Sequence, residues 1–290
     1  MRFPLLQPLR QIPIAVIDTE TTGISSDYGH RVIEVGIVRM EAGAIVKEYQ
    51  QLIDPGRCIG PAVTAMTGIT QEMVAGQPRF EDQLPGMMAA IEGAAILGHN
   101  IDFDLSFLRH EFRRLGMDLR QSLGEVPVLD TLRIARRRFG RGGNSLPVLS
   151  RRLWVEPVAA HRALADAHTT AEVFRRLLEP VGGYAITLCD TLNQQGGAIE
   201  VEPGDGEGSL PIELQEALEG GRPVMMEYLD GRGARTHRVI QPLQIRRHNG
   251  QALLVAHCHL RNERRTFKIE RIVHLTRLET EQKDDQTVNT

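Results

Sequence analysis

The chain has 290 residues, of which 41% are apolar and 24% are charged, a composition typical of a soluble globular protein with one large domain or two smaller ones. The net charge of −3 excludes nucleic-acid binding through bulk charge alone, so such binding would need local basic patches or metal ions. The three cysteines are too few and too far apart for a disulfide framework, and no apolar run reaches the roughly 18–20 residues of a membrane span. We therefore expect a cytoplasmic protein that does not associate with a membrane.

The first part of the chain predicts strands, followed by helices that alternate with strands. Residues 12–18 form an apolar run typical of a buried strand, and two further strands on either side of Gly43 complete a meander. Helical spacing begins after Pro61, and a short buried strand is predicted at 94–98. The main predicted helices are 80–93, 102–116, 131–139, 145–153 and 163–179. This order indicates an α/β domain, a mixed sheet flanked by helices.

The second part of the chain begins with a segment rich in glycine, proline and acids, which is typical of a linker. A predicted helix at 210–221 follows, and then several short alternating strands that indicate a small all-β unit, of barrel form. The predicted boundaries are 10–193 for the α/β domain, 194–209 for the linker, 210–280 for the β domain and 281–290 for a polar tail.

Two acidic residues stand at alternate positions at the end of the first predicted strand. Because alternate side chains of a strand share a face, Asp18 and Glu20 should project side by side. Two neighbouring carboxylates either acquire raised pKa values or need a cation, and Mg²⁺ prefers oxygen ligands of this kind. Taken alone the pattern is weak, since two acids at a strand end can also face solvent.

Two later clusters strengthen the hypothesis of a metal site. Asp104 lies on the first turn of a predicted helix that follows a buried strand, although an acid there also favours the helix dipole. Asp166 lies in a later helix, and His161 can converge with it if the histidine lies in the preceding loop. Four carboxylates and a histidine are the set that two-metal phosphodiester hydrolysis requires, with the histidine accepting the proton of the attacking water.

The segments DTETTG, GHNIDFD and HRALADA, in this order, resemble the three motifs of the DEDDh exonucleases over about residues 12–180. The resemblance implies a ribonuclease H-like fold, two Mg²⁺ or Mn²⁺ ions, and hydrolysis from the 3′ end to nucleoside monophosphates. The implied metal ligands are Asp18, Glu20, Asp104 and Asp166, and the implied general base is His161. The implied substrate contacts are Thr19, Met66, Ile69, His99 and Asn100.

The segments HRVIQPLQI and LLVAHCHLRNERRTFKIERI resemble the WYL domain, a small SH3-like module. Arg238, Arg265 and Arg271 occupy basic positions of that family, which implies a nucleic-acid or nucleotide ligand. The Trp-Tyr-Leu sequence that names the family is Leu-Leu-Val at 253–255, so the resemblance implies no aromatic stacking at this triad.

Together these patterns predict a metal-dependent 3′–5′ exonuclease whose substrate is DNA and whose partners are polymerase or repair machinery. RNA 3′ ends are an alternative substrate, because no sequence feature reads a 2′-hydroxyl. A second alternative is a nucleic-acid sensor in which the WYL-like domain binds the ligand and the nuclease half is a scaffold. The complete set of acids argues against that alternative. The arginine-rich stretch 133–152 fits either a phosphate-binding strip or a solvated helix face.

Overall fold

Two five-stranded sheets organise the chain. The computed structural model describes residues 3–156, 161–201, 210–231, 234–248 and 251–278. The strands of the first sheet are β1 (Ile14–Thr21), β2 (Val32–Glu41), β3 (Ala44–Leu52), β4 (Ala95–Gly98) and β5 (Val128–Asp130). The strands of the second sheet are β6 (Val224–Leu229), β7 (Arg235–His248), β8 (Gln251–Cys258), β9 (Glu263–Lys268) and β10 (Ile272–Arg277).

The helices accompany the first sheet, except for one that opens the second unit. They are α1 (Pro61–Thr67), α2 (Gln71–Val74), α3 (Phe80–Ile91), α4 (Ile101–Arg114), α5 (Leu119–Leu123), α6 (Thr131–Phe139), α7 (Leu146–Arg152), α8 (Ala163–Leu178), α9 (Leu188–Gln195) and α10 (Ile212–Gly220). The long helices agree with the sequence prediction to within a few residues. No element at β5, α1, α2, α5 or α9 is predicted from the sequence. β5, α2 and α5 have only three, four and five residues, too few to show a period, and α9 runs into the glycine-rich segment that predicts a linker.

The first sheet is mixed, as the sequence predicts, and has helices on both faces. Its strand order is β3-β2-β1-β4-β5, with β1 antiparallel to β2 and parallel to β4. Alternate residues of β1 enter opposite cores: Ala15 and Ile17 pack with α3 and α4, whereas Ile14 and Val16 pack with α8. Since parallel strands end at the same edge, the acids at the end of β1 lie close to the start of α4, which follows β4.

A close approach between β2 and α8 fixes the position of that helix. A Cβ atom at Gly36 would lie 2.2 Å from the carbonyl carbon of Ala163 and from the backbone nitrogen of Leu164. Only glycine therefore allows the start of α8 to lie directly on β2. This contact brings Asp166, in the first turn of α8, to the end of β1.

The second unit is an antiparallel sheet in the order β10-β6-β7-β8-β9. It confirms the predicted small all-β unit, whereas a β9–β10 pairing that would close a barrel does not occur among the described residues. The unit has its own core, with Met226, Ile240, Leu254 and Phe267 buried at its centre. Across the part of the chain that the structure describes, no helix has the length and apolar character needed to cross a membrane.

The predicted linker contributes to the first unit. Residues 194–195 are the end of α9, and the side chains of Ile199 and Val201 are buried in the core beside α3 and α4. The sequence pattern does not predict the burial of Ile199 and Val201, because these apolar residues stand among glycines and acids and show no helical or strand period. Residues 202–209 of the predicted linker lie outside the described residues.

Candidate active site

Three carboxylates converge at the end of β1. One side-chain oxygen from each of Asp18, Glu20 and Asp166 lies within 4.8 Å of the others. Asp18 and Glu20 belong to β1, and Asp166 reaches them from the first turn of α8. All three donors are hard oxygen ligands of the type that Mg²⁺ and Mn²⁺ prefer, so this acidic cluster fits a divalent metal ion.

The fourth predicted acid, Asp104, is held beside the acidic cluster by hydrogen bonds from β1, the strand that carries Asp18 and Glu20. Asp104, in the first turn of α4, accepts hydrogen bonds at Oδ1 from the backbone N–H of Thr19 at 2.9 Å and from its hydroxyl at 2.7 Å. Thr19 stands between Asp18 and Glu20 on β1. Asp104 is 4% exposed and lines the same cavity as the cluster. The two bonds fix the orientation of its carboxylate relative to the cluster.

Burial raises the free energy of ionising these carboxylates when no cation is bound. Desolvation is the main cause that raises the pKa of Asp18 and of Glu20 well above the usual range, and repulsion from neighbouring carboxylates adds to it. Burial also raises the pKa of Asp104 to about 7 and that of Asp166 to about 6. A bound divalent cation offsets this cost, because opposite charge favours the ionised form.

His161 lies in the turn before α8, with a left-handed φ of 62°. Its backbone N–H donates a hydrogen bond to Oδ2 of Asp166 at 2.9 Å, so the turn is tied directly to the acidic cluster. The side chain lines the cavity and is reached by solvent. Partial burial of the ring lowers its pKa, which keeps the imidazole neutral and able to accept a proton near pH 7.

Glu34 is a site residue that the sequence reasoning missed. This fully buried carboxylate on β2 accepts hydrogen bonds from the Arg162 guanidinium at 2.6 and 3.1 Å and from the backbone N–H of Ala163 at 3.0 Å. It thereby holds the residue after His161 and the first residue of α8. An available signal was the acid within the apolar run RVIEVGIV, since a buried charge requires a partner.

Four of the five predicted substrate contacts line the cavity, namely Thr19, Met66, His99 and Asn100. The ring of His99 is within 2.9 Å of the Thr131 hydroxyl, and burial lowers its pKa to about 3, so this imidazole is neutral. Ile69 does not line the cavity. It is completely buried in a small cluster with Ile33 and Val74, so the predicted contact between its side chain and a substrate is not available in this structure.

The three predicted basic positions lie in the second unit and do not line the cavity. Arg238 on β7 donates to the hydroxyl of Thr236 at 3.1 Å, and Arg265 on β9 lies 3.6 Å from a carboxylate oxygen of Glu263. Arg271 lies in the turn between β9 and β10. None of these three arginines is among the residues that line the cavity of the acidic cluster.

The arginine-rich stretch makes several contacts within the protein. Arg133 forms a 2.8 Å ion pair with Asp102, and Arg136 lies 3.7 Å from a carboxylate oxygen of Glu219 on α10. Arg141, by contrast, has a largely exposed side chain. Part of this strip therefore holds the protein together instead of facing solvent.

Comparison with known proteins gives two family matches. The RNase T exonuclease model matches residues 15–174, and the WYL domain model matches residues 212–277. The DNA polymerase III PolC-type protein of Thermotoga maritima is 38% identical over 186 residues, which cover 64% of this chain and 13% of that protein. The DNA polymerase III epsilon subunit of Pasteurella multocida is 36% identical over 178 residues, which cover 59% of this chain and 69% of that subunit.

A solved structure shows the same fold. The zinc-bound complex of E. coli exonuclease I with single-stranded DNA superposes with a TM-score of 0.53 at 19% identity, covering 84% of this chain and 54% of that one. At this identity the likeness concerns the fold alone. The chain spans 13% of the length of the PolC-type relative from Thermotoga maritima.

Proposed function

The chain belongs to the RNase T exonuclease family, and on that premise we propose that it is a metal-dependent 3′–5′ exonuclease of DNA with a C-terminal WYL domain. The observation that carries the proposal is the convergence of Asp18, Glu20 and Asp166 in one cavity with Asp104. The names of the PolC-type and epsilon relatives, both DNA polymerase III proteins, support DNA as the substrate and replication or repair complexes as partners.

The residues of the site fit two divalent ions, Mg²⁺ or Mn²⁺. Asp18, Glu20, Asp104 and Asp166 would hold them, since every donor is a carboxylate oxygen and all four pKa values are raised by burial. When bound, such ions activate a water molecule and stabilise the leaving oxygen of a phosphodiester.

The protein's own groups orient the reaction. His161 is neutral and accepts the proton of the attacking water, and its backbone bond to Asp166 sets its distance from the acidic cluster. Thr19 orients the Asp104 carboxylate through two hydrogen bonds. Glu34 fixes the start of α8 and therefore the positions of both His161 and Asp166.

The test is hydrolysis of 3′- and 5′-labelled single strands of DNA and RNA in Mg²⁺, in Mn²⁺ and in chelator. We expect a metal-dependent ladder that shortens DNA from the 3′ end. Asp104→Asn should abolish it, whereas the control Asp102→Asn, on the same helix turn but about 40% exposed, should retain it. Faster shortening of RNA would reassign the substrate, and absence of shortening with every metal would overturn the proposed activity.

A further inference from the structure

The cavity that holds the acidic cluster is not built by the nuclease domain alone. Its lining includes residues from the start of α10 and from β10 of the WYL domain. They are Pro211, Ile212, Glu213, Val273, His274 and Leu275. The WYL domain therefore forms one wall of the cavity, and β1 and the start of α4 form another part of the lining.

A β-bulge explains how two consecutive residues of one strand, Val273 and His274, reach the same cavity. In a regular strand, neighbouring side chains point to opposite faces. In β10, Ile272 pairs with Tyr228 of β6 and His274 pairs with Glu227, so Val273 is an extra residue without an opposite partner. A bulge of this kind re-aims side chains and is common beside active sites. Here it turns half-buried His274 toward the cavity together with Val273.

Polar contacts join the WYL domain to the nuclease domain, and two of them involve Asn100, which lines the cavity. The side-chain amide of Asn100 donates to the carbonyl of Leu210 at 3.3 Å and accepts from the amide of Gln215 at 3.3 Å. The backbone N–H of Asn144 donates to Glu216 at 2.6 Å. Asn100, a predicted substrate contact, is thus bonded to α10 and its approach.

An apolar contact fixes the same arrangement on the other side. Ile24, just after β1, is 7% exposed and belongs to the core of the second sheet. The Tyr28 hydroxyl accepts a hydrogen bond from the backbone N–H of Ala252 on β8 at 3.0 Å. Helix α1, which carries Met66, packs against β10. The second unit is therefore joined to the nuclease domain by apolar as well as polar contacts around the cavity lining.

We propose that the WYL domain completes the binding site for the 3′-terminal nucleotide and that His274 is a substrate-contacting residue. This inference rests on the proposed exonuclease function. Carboxylates cannot donate hydrogen bonds to sugar or phosphate oxygens, whereas an imidazole N–H can. Met66, Ile212 and Val273 line the cavity and offer apolar surface to a base. The composite cavity thus supplies what the acidic cluster alone lacks.

The test compares His274→Ala with two controls in the full-length protein. Thr276→Ala changes an exposed residue of the same strand, and His257→Ala changes a histidine of the same sheet; neither residue lines the cavity. Steady-state hydrolysis of single-stranded DNA and inhibition by deoxyadenosine 5′-monophosphate are measured for each. We expect His274→Ala to raise KM and to weaken the inhibition by about 5- to 30-fold, the loss of one hydrogen bond, with kcat nearly unchanged.

His274→Asn retains an N–H donor and should recover part of the affinity, which separates a lost contact from a disturbed fold. A His274→Ala variant that matches both controls in KM and in inhibition would overturn the inference. A lower KM or faster hydrolysis would also overturn it, because the wall would then obstruct the substrate. Failure of the unmodified protein to hydrolyse DNA or to bind the monophosphate would instead overturn the proposed function.

Discussion

Asp104→Asn should stabilise the metal-free protein even though it removes a proposed metal ligand. Burial raises the pKa of Asp104 from its usual 3.8 to about 7. Each pKa unit corresponds to about 1.4 kcal/mol, so the ionised carboxylate costs the metal-free fold about 4 kcal/mol at pH 8. Asparagine keeps an oxygen that accepts both bonds from Thr19, although its own amide must be buried. We therefore expect a net gain of about 1–3 kcal/mol, or a rise in Tm of roughly 2–5 °C.

The pH dependence has a definite sign. Because the folded-state pKa of Asp104 is higher than that of the unfolded chain, the folded protein binds this proton more tightly. The stability that the protonated carboxyl contributes is fully present below about pH 4 and is lost as the pH rises through about 7. The advantage of Asp104→Asn should consequently grow between pH 5 and pH 8. Added Mg²⁺ should stabilise the parent protein more than the variant, since the variant lacks one carboxylate ligand.

Thermal melts of the parent, of Asp104→Asn and of the control Asp102→Asn measure this effect at pH 5, 6.5 and 8. Each melt is recorded in chelator and in excess Mg²⁺. Asp102 is about 40% exposed and paired with Arg133, so its replacement should give no gain that increases with pH. The reasoning is refuted if Asp104→Asn melts at or below the parent at pH 8 in chelator, or if its advantage is as large at pH 5.

The remaining predictions concern catalysis, long-strand binding and helix docking. His161→Ala should slow single-turnover hydrolysis by roughly 10²–10⁴-fold with little change in DNA affinity. A variant as fast as the parent protein would show that His161 is not the general base. Arg265→Ala with Arg271→Ala should weaken binding of long single strands and reduce its salt dependence while sparing short ones; unchanged affinity would return both arginines to a structural role. Gly36→Ala should lower both Tm and activity, because its methyl group would lie 2.2 Å from the Ala163 backbone; a parent-like melt would show that α8 can move.

The convergence of the acids could be predicted from the sequence because local pattern and topology agree. Alternation within a strand puts Asp18 and Glu20 on one face. The rule that parallel strands end at one edge brings the start of α4, with Asp104, to the same place. Asp166 reaches the cluster through the docking of α8 on Gly36, a contact between distant segments that the motif order implies only by resemblance.

Other parts of the site depend on tertiary contacts that leave no local pattern. Glu34 and Arg162 are far apart in sequence, and their roles become visible only in the ion pair between the buried Glu34 and the partly exposed Arg162. Ile69 has the apolar character expected of a base contact, but packing assigns it to a core instead. His274 belongs to a different domain, and its approach to the cavity depends on one extra residue in β10. No period or motif within one domain can predict a wall supplied by another.

The short connection between β9 and β10 constrains the shape of the second sheet, and it leads into β10, the strand that lines the cavity. Ile269–Arg271 connects the two edge strands. A chain of this length spans at most about 14 Å, less than the roughly 19 Å across a flat sheet of five strands, so the sheet must curl. Arg271 lies in this connection, three residues before His274. The effects of Arg271→Ala and His274→Ala can be distinguished by the length of the substrate. If Arg271→Ala weakens the binding of a dinucleotide as His274→Ala does, the Arg271 substitution disturbs the cavity. A loss confined to long strands for Arg271→Ala would instead identify a separate phosphate contact.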